Sequence, residues 1–268
     1  MTDLAPLGFL GIRQLDLAIK KTIIHAATNA PRSLQTAIGP SEVGQPCLRR
    51  LAYKILDVEP ASTGTDIWRP TVGTGVHAWL ADALLLANRE LGYTRWLVEE
   101  RVEVAPGLGG SCDAHDLDTH TTVDWKIVGP SSLKKYRKDG PGQQYRTQLH
   151  LYGKGHKLAG RRVDTVMIAF LPSAGTLADA YFWSEPFDEQ VADDAIARLD
   201  LLRLALAFGQ HRGAEVAEII DGVAATPAHA CVYCPWFRHG AEDLATGCPG
   251  VDPDPTRPGT VDLTGVTL

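Results

Sequence analysis

The sequence predicts an α/β fold, and three observations lead to that prediction. Apolar residues recur with helical spacing before residue 96, and the spacing then changes to the alternation of β-strands over residues 96–128. A helical pattern returns over 142–159 and is followed by a further hairpin pattern. The resulting order (helix, three strands, helix, strand) is that of an α/β sandwich with extra helices placed before it. The 268 residues, 44% hydrophobic and 22% charged, are typical of a folded domain and exclude a disordered or fibrous chain.

The first region, residues 1–70, is predicted to be helical. Asn29-Ala-Pro31 ends the first helix and Gly39-Pro40-Ser41 begins the second, because proline is unfavourable inside a helix but suits its first turn. The predicted elements are a helix over 12–29, a helix from 39 towards 56 that contains Cys47, and a loop over 64–70.

The central region, residues 71–210, holds the predicted α/β core. Turn sequences at 106–110 and 118–120 separate three alternating segments, which indicates a meander of strands. The predicted elements are a helix from Val72, strands over 96–104, 111–117 and 121–128, a helix over 142–159, a hairpin of 163–171 and 178–183, and a helix over 188–208.

The C-terminal region contains three of the five cysteines within residues 211–250, which are predicted to be irregular, followed by a flexible tail over 251–268. The longest apolar runs are interrupted by Asp82 and Arg203, so no membrane span is predicted. The N-terminus lacks the pattern of a signal peptide, and we therefore expect a cytoplasmic protein without a membrane partner. In a reducing compartment the cysteines are metal ligands, catalytic groups or packing residues rather than disulfides.

Two carboxylates and a lysine are predicted to share one face of the sheet. Side chains alternate along a strand, so Asp124 and Lys126 point to the same side, and Asp113 lies on the preceding strand of a short hairpin. Such a set suits hydrolysis of a phosphodiester, because carboxylates hold Mg²⁺ or Mn²⁺ and the lysine can orient or deprotonate the attacking water. A solvated strand face with a surface Asp–Lys pair is the alternative interpretation.

Two helical features add to this set. His77 lies on the helix before the strands, in Gly73-Thr-Gly-Val-His77, where a core histidine is the alternative. Gln144, Gln148 and Tyr152 share one face of a later helix at a spacing of four residues, where an ordinary polar stripe is the alternative.

In this order, the motifs resemble the RecB-type nucleases of the PD-(D/E)xK superfamily over roughly residues 41–248. The resemblance implies a metal site formed by His77, Asp113 and Asp124, with Asp113, Asp124 and Lys126 as the catalytic set. It also implies that Gln148 and Tyr152, with Gln144 one turn earlier, contact the DNA strand or position the site. Glu100, on a neighbouring strand, is a further candidate to approach the metal.

Four cysteines are predicted to hold one cluster. Cys231 and Cys234 form a CxxC pair, Cys248 follows after thirteen residues, and Cys47 lies far upstream. Zinc sites usually show two such pairs, so one pair with two single cysteines favours a [4Fe–4S] cluster over zinc. Unligated buried thiols are the remaining alternative. The fifth, Cys112, lies on the opposite side of its strand from Asp113 and is predicted to be a core residue.

The cysteine arrangement narrows the resemblance to the iron–sulfur RecB-like exonucleases. That group includes the nuclease of CRISPR adaptation, its stand-alone phage relatives and the nuclease module of AddB-type recombination enzymes. The resemblance implies a structural cluster that joins the C-terminal segment to the N-terminal helix. Two departures from the family pattern are the long interval between Cys234 and Cys248 and the position of Pro46 before Cys47.

Positive charge is concentrated after the third strand. The chain carries a net −6, but residues 126–162 contain ten Lys/Arg and one acid, which makes this segment +9 and leaves −15 for the remainder. A phosphate-binding groove is the favoured interpretation over a solvated helix face, with Lys134, Lys135, Arg137 and Lys138 as DNA contacts. Tyr136 and Tyr145 are candidates to stack on bases or to fill the core.

The sequence therefore predicts a metal-dependent DNA exonuclease that acts on single strands or ends. The chain has no Gly-x-x-x-x-Gly-Lys-[Ser/Thr] loop, so any helicase, recombination or CRISPR-adaptation partner would be a separate protein. A homo-oligomer is also compatible with the sequence. The alternatives are a nuclease that trims DNA for CRISPR spacer acquisition, a DNA-binding accessory protein with a vestigial metal site, and a zinc-stabilised interaction module.

Overall fold

The computed structural model describes residues 9–29, 37–61, 67–226, 231 and 234–250. Within these residues the chain forms a mixed α/β structure around a five-stranded sheet. The helices are α1 (Phe9–Thr28), α2 (Pro40–Val43), α3 (Leu48–Ile55), α4 (Trp68–Leu91), α5 (Pro130–Asp139), α6 (Gln143–Leu158), α7 (Glu189–His211) and α8 (Val216–Asp221). The strands are β1 (Trp96–Ala105), β2 (Leu108–Asp116), β3 (Thr121–Val128), β4 (Thr165–Pro172) and β5 (Tyr181–Pro186).

The strands are arranged in the sheet in the order in which they occur in the chain, β1 to β5. Neighbouring strands are antiparallel except for β3 and β4, which are parallel. A parallel pair requires a long crossover connection, and α5 and α6 supply it. This crossover places α5 directly after the strand that carries Asp124 and Lys126.

Helix α6 is the centre of the hydrophobic core. Leu151 and Leu149 on this helix are fully buried, and they belong to two separate apolar clusters. Leu151 packs within the cluster formed with β1, β2, α3 and α7, and Leu149 packs within the cluster formed with β3 and β4. Because both clusters depend on α6, the position of this helix against the sheet is strongly constrained.

Two glycines permit close approach of elements to α6. A Cβ on Gly155 would lie 2.7 Å from Val102 Cγ2, and a Cβ on Gly44 would lie 2.7 Å from Thr147 Cβ. The first contact lets the helix pack on β1, and the second lets the turn after α2 pack on α6. The N-terminal helices are thereby fixed next to the helix that carries Gln148.

The structure confirms the mixed α/β fold and differs from the sequence prediction in its details. The single helix predicted from 39 to 56 is two short helices, because the chain turns at residues 44–46 and Cys47 becomes the N-cap of α3. The helix predicted from Val72 begins at Trp68. Helices α5 and α8 were not predicted, although Pro130 at the start of α5 and Gly140 after its end are common helix boundary signals.

Several predictions fall on residues outside the described ranges. These are Pro31, residues 64–66 of the predicted loop, and the flexible tail over 251–268. The first helix ends at Thr28, next to the predicted boundary at Asn29, whereas residues 68–70 of the predicted loop belong to α4. Among the described residues, no helix combines the length and the apolar composition needed to cross a bilayer.

Candidate active site

Four elements bring the predicted nuclease residues to one place. Helix α4 contributes His77, β2 contributes Asp113, β3 contributes Asp124 and Lys126, and α6 contributes Gln148. The contacts among these side chains form two linked groups, a His–Asp pair and an Asp–Lys–Gln triangle.

Asp113 occupies the point where β2 and β3 separate. The last regular backbone pair of these strands is Ala114 with Val123. Beyond it, the Trp125 backbone N–H donates to Asp113 Oδ2 at 2.8 Å. The carboxylate therefore takes a donor that the sheet leaves unpaired, which fixes its orientation.

The position of His77 depends on how its helix, α4, is attached to strand β1. Asn88, one turn before the end of α4, accepts hydrogen bonds from the backbone N–H groups of Arg95 and Trp96 and donates to the Trp96 carbonyl. These bonds join α4 to the first residues of β1. His77 Nδ1 lies 3.2 Å from Asp113 Oδ1. Burial alone would lower the pKa of His77, but the hydrogen bond and charge of Asp113 outweigh it and raise the pKa.

Asp124, Lys126 and Gln148 form the second group. Gln148 Nε2 donates to Asp124 Oδ1 at 2.8 Å, and Lys126 Nζ donates to Gln148 Oε1 at 3.1 Å. Lys126 Nζ also lies 2.6 Å from Asp124 Oδ2. The Lys126 ammonium is therefore the charged partner of this buried oxygen. Burial raises the pKa of Asp124 to about 6, although Lys126 opposes the shift.

Gln148 and Tyr152 are buried at 4% and 5% exposure, which places them behind the site rather than on its surface. A Cβ added to Gly110 would lie 3.3 Å from the Tyr152 hydroxyl, so the lack of a side chain at this position of β2 leaves room for the tyrosine. Gln144 is directed elsewhere, because its Nε2 donates to the Ser41 carbonyl at 2.8 Å. It joins α6 to α2 and lies apart from the Asp–Lys–Gln triangle.

Glu99, which the sequence did not suggest, lies beside His77 and Asp113. Ligand atoms of these three side chains all lie within 4.8 Å of one another. The neighbouring candidate Glu100 instead forms an ion pair with Arg161. No sequence signal separates the two glutamates, because the choice depends on an irregular backbone at this point of β1.

The aromatic ring of Tyr145 lies next to the amino group of Lys126. Lys126 Nζ lies 4.8 Å from the centre of the Tyr145 ring. Tyr136 stacks on Phe170, with ring centres 4.3 Å apart, and Tyr145 lies next to both. The two tyrosines are thus half-buried members of an aromatic cluster, and their rings already have protein neighbours.

The basic residues that follow β3, within residues 126–162, fall into two groups, those that form ion pairs and those that do not. The first group forms these ion pairs: Arg146 with Glu185, Lys154 and Lys157 with Glu189, Arg161 with Glu100, and Arg162 with Asp164. The second group lies on α5, where Leu133 is buried and Lys134, Lys135, Arg137 and Lys138 are exposed. None of these four forms an ion pair within the described part of the chain, and Arg137 donates to the Asp179 carbonyl. Within this segment, the cations of the described structure that have no ion-pair partner therefore lie on α5.

The four cysteines predicted to share a cluster line one cavity of about 80 Å³. Cys248 is buried, and Cys47, Cys231 and Cys234 are half-buried. The cavity has no carboxylate among its lining residues, and it includes the cationic side chains of Arg49 and Arg50. Burial raises the pKa of the Cys234 thiol. Four thiols with nearby cations are a donor set that fits a metal cluster.

Cys248 reaches the cavity despite its distance along the chain. Its backbone N–H donates to the Trp236 carbonyl at 2.6 Å, and the Arg238 N–H donates to the Cys248 carbonyl at 2.9 Å. The intervening residues thus fold back on the CxxC segment. The fifth cysteine, Cys112, is buried in the core, and burial raises its pKa well above its usual value.

Helix α3 also holds the C-terminal segment through its side chains. The Tyr53 hydroxyl donates to the Leu244 carbonyl at 2.8 Å, and the Tyr53 ring stacks on Trp236. Arg49 Nε donates to the Val223 carbonyl at 3.1 Å. Helix α3 is therefore joined to the C-terminal segment by direct contacts around the cysteine cavity.

Comparison with protein-family models finds none that matches this chain, and comparison with curated proteins finds no relative. Among solved structures, an alkaline exonuclease (LHK-Exo) from Laribacter hongkongensis is similar over 66% of this chain and 93% of its own, at 14% identity and a TM-score of 0.44. The complex of LHK-Exo with dAMP gives the same coverage, 66% and 93%, at 15% identity and a TM-score of 0.46. A phage related exonuclease from Haemophilus somnus 129PT is similar over 58% of this chain and 77% of its own, at 16% identity and a TM-score of 0.38.

Proposed function

We propose that this protein is a metal-dependent DNA exonuclease that acts on single-stranded DNA or DNA ends. The observation that carries the proposal is the buried Asp124–Lys126–Gln148 triangle next to the His77–Asp113 pair. A solvated strand face would not bury a carboxylate to 2% exposure beside a lysine whose amino group a glutamine holds in place. Burying these charged groups costs folding free energy, and buried charged groups of this kind are typical of active sites.

The donor set fits a hard divalent cation. His77 and Asp113, with Asp124 as the further carboxylate expected from the sequence, supply one imidazole and carboxylate oxygens, which suit Mg²⁺ or Mn²⁺. Asp124 Oδ2 is buried 2.6 Å from the Lys126 ammonium, so a bound cation would share this carboxylate with the lysine. When bound, such an ion polarises the phosphate and lowers the pKa of a coordinated water.

Lys126 is the catalytic residue in this proposal. Gln148 and Asp124 hold its amino group on one side, and the Tyr145 ring limits its movement on another. From this position the ammonium can orient the attacking water and stabilise the charge that develops on the phosphate. Gln148 and Tyr152 act as positioning residues, because both are buried behind the lysine.

A direct assay uses labelled single-stranded DNA with Mn²⁺ or Mg²⁺. We expect the wild type to degrade it and Lys126→Ala to be slower by about 10²–10⁴-fold, the usual effect of removing a general acid–base group. Lys157→Ala, an exposed lysine of α6 that is ion-paired with Glu189, is the matched control and should retain most of its kcat. Equal rates for wild type and Lys126→Ala would contradict the catalytic role.

We further propose that the exposed lysines of α5 bind the DNA backbone. Lys134 and Lys138 have no ion-pair partner in the described structure, whereas Lys157 and Arg162 are paired with carboxylates. Replacing either pair by glutamine removes two charges. We expect only the Lys134/Lys138 variant to weaken single-strand binding in EDTA and to reduce the slope of log K against log salt by about 1.4. Equal weakening by both variants would contradict a groove along α5.

The cysteine cavity supports a third proposal, a structural [4Fe–4S] cluster held by Cys47, Cys231, Cys234 and Cys248. We expect anaerobically purified protein to be brown and to contain about four iron atoms per chain. Cys231→Ala should lose the iron and some stability, because a structural metal site contributes folding free energy. Cys112→Ala should keep the iron. A colourless protein with stoichiometric zinc would contradict the cluster.

A further inference from the structure

Glu99 adopts a backbone conformation that is unusual for a strand. Its φ is +50°, in the left-handed region that residues with a side chain rarely adopt. Among the described residues, the other non-glycine residues with positive φ are Asp57 and His120, which lie in turns. Within the strands of the described sheet, Glu99 is therefore the non-glycine residue whose backbone has a strained, positive φ.

The irregularity places Glu99 opposite Asp113. The regular pairs of β1 and β2 on either side are Val98 with Ala114 and Glu100 with Cys112, and the intervening pair is not formed. At this break the Glu99 carboxylate lies with the ligand atoms of His77 and Asp113, all within 4.8 Å of one another. Glu99 is exposed, so this side of the group is open to solvent.

We infer that Glu99 is a third side-chain ligand of the catalytic cation, together with His77 and Asp113. This inference rests on the metal-dependent nuclease proposed above and adds a residue that its sequence motifs do not contain. The site also contains Asp124 of the next strand, which is 2% exposed and on which the charges of His77 and Asp113 act.

The assignment also divides the acidic residues by role. Asp124 is committed to Gln148 through Oδ1 and ion-paired with Lys126 through Oδ2, whereas Glu99 and Asp113 flank the histidine. One imidazole with two carboxylates is a donor set for a divalent cation. Glu99 thus extends the set of His77, Asp113 and Asp124 by a carboxylate from β1, and Asp124 is the member that also contacts the lysine.

The test is Mn²⁺ binding to the full-length protein without DNA, measured by calorimetry and by the electron paramagnetic resonance of free Mn²⁺. We expect Glu99→Gln to weaken Mn²⁺ binding at least tenfold. Glu103→Gln, the same substitution on an exposed residue of the same strand, is the matched control and should bind as the wild type does.

A second variant separates ligation from folding. Glu99→Gly should also lose Mn²⁺ affinity, but its melting temperature without metal should equal or exceed that of the wild type, because glycine adopts positive φ without strain. Wild-type affinity in Glu99→Gln, or equal losses in Glu99→Gln and Glu103→Gln, would overturn the inference. If the wild type itself bound no Mn²⁺, the proposed metal-dependent function would fail first, which distinguishes the two failures.

Discussion

The buried carboxylate of Asp124 should reduce the stability of the folded protein at neutral pH. Its side chain is almost inaccessible to water, and burial raises its pKa from 3.8 to about 6 in spite of the nearby lysine. Asp124→Asn removes the charge and keeps the shape and one hydrogen-bond acceptor. We therefore expect the substitution to stabilise the metal-free protein while it impairs the reaction.

The magnitude follows from the size of the pKa change. A carboxyl with a raised pKa in the folded state binds its proton more tightly when folded, so stability falls as pH rises from the unfolded pKa, near 3.8, to the folded pKa of about 6. A difference of about two units at 1.36 kcal/mol each corresponds to about 3 kcal/mol above that range. For a chain of this size, that is roughly 6 °C in melting temperature.

The assay is thermal unfolding in EDTA between pH 4 and pH 8, followed by circular dichroism. Asp124→Asn should melt higher than the wild type at pH 7.5, and the difference should shrink towards pH 4, where the wild-type carboxyl is protonated in the folded state and about half protonated in the unfolded state. Asp82→Asn, on the exposed face of α4, is the control and should melt with the wild type throughout. A lower melting temperature for Asp124→Asn at pH 7.5 would refute the reasoning.

Two further predictions concern residues that position the site. Gly110→Ala would place a Cβ 2.9 Å from Pro40 Cδ and 3.3 Å from the Tyr152 hydroxyl, so we expect a loss of about 1–3 kcal/mol in a chemical unfolding experiment; an unchanged midpoint would show that the contact can relax. Gln148→Leu keeps the buried volume but frees the lysine and aspartate that the amide joins, so we expect kcat to fall at least tenfold with a smaller change in KM. An effect on KM alone would instead indicate a substrate contact.

The sequence predicted the core of the fold because its strands and central helix have strong periodic patterns. Strand β3 was predicted with the same limits that the structure gives, Thr121–Val128. Helix α5 was missed because its apolar content is low and only Leu133 is buried, so periodicity carried little signal. The helix predicted through Cys47 is broken, because the contacts of Gly44 with α6 decide the local backbone and are not visible in the sequence.

The predicted site residues meet in the structure to different extents. Residues whose spacing reflects a strand or helix face, such as Asp124 with Lys126, or Gln148 with Tyr152, lie together. Gln144 shares that helical spacing but faces α2, because the neighbouring helix covers that turn of α6. Glu99 was missed because its position depends on a single backbone dihedral angle.

The positive charge of residues 126–162 is distributed less evenly in the fold than in the sequence. The sequence treats the +9 segment as uniform, whereas the structure neutralises its second half with acids from β1, β5 and α7. Partners far apart in the chain cannot be paired from sequence alone. The surface that remains positive is α5, which is smaller than the predicted groove.

The most direct test of the proposed function compares linear and circular single-stranded DNA of equal length and sequence. With Mn²⁺, we expect the wild type to release mononucleotides or short products from the linear DNA and to leave the circle intact, because an exonuclease needs an end. Lys126→Ala should leave both intact. Equal degradation of the circular and the linear DNA would contradict exonuclease activity. Degradation of the linear DNA by Lys126→Ala at the wild-type rate would contradict the assignment of the active site.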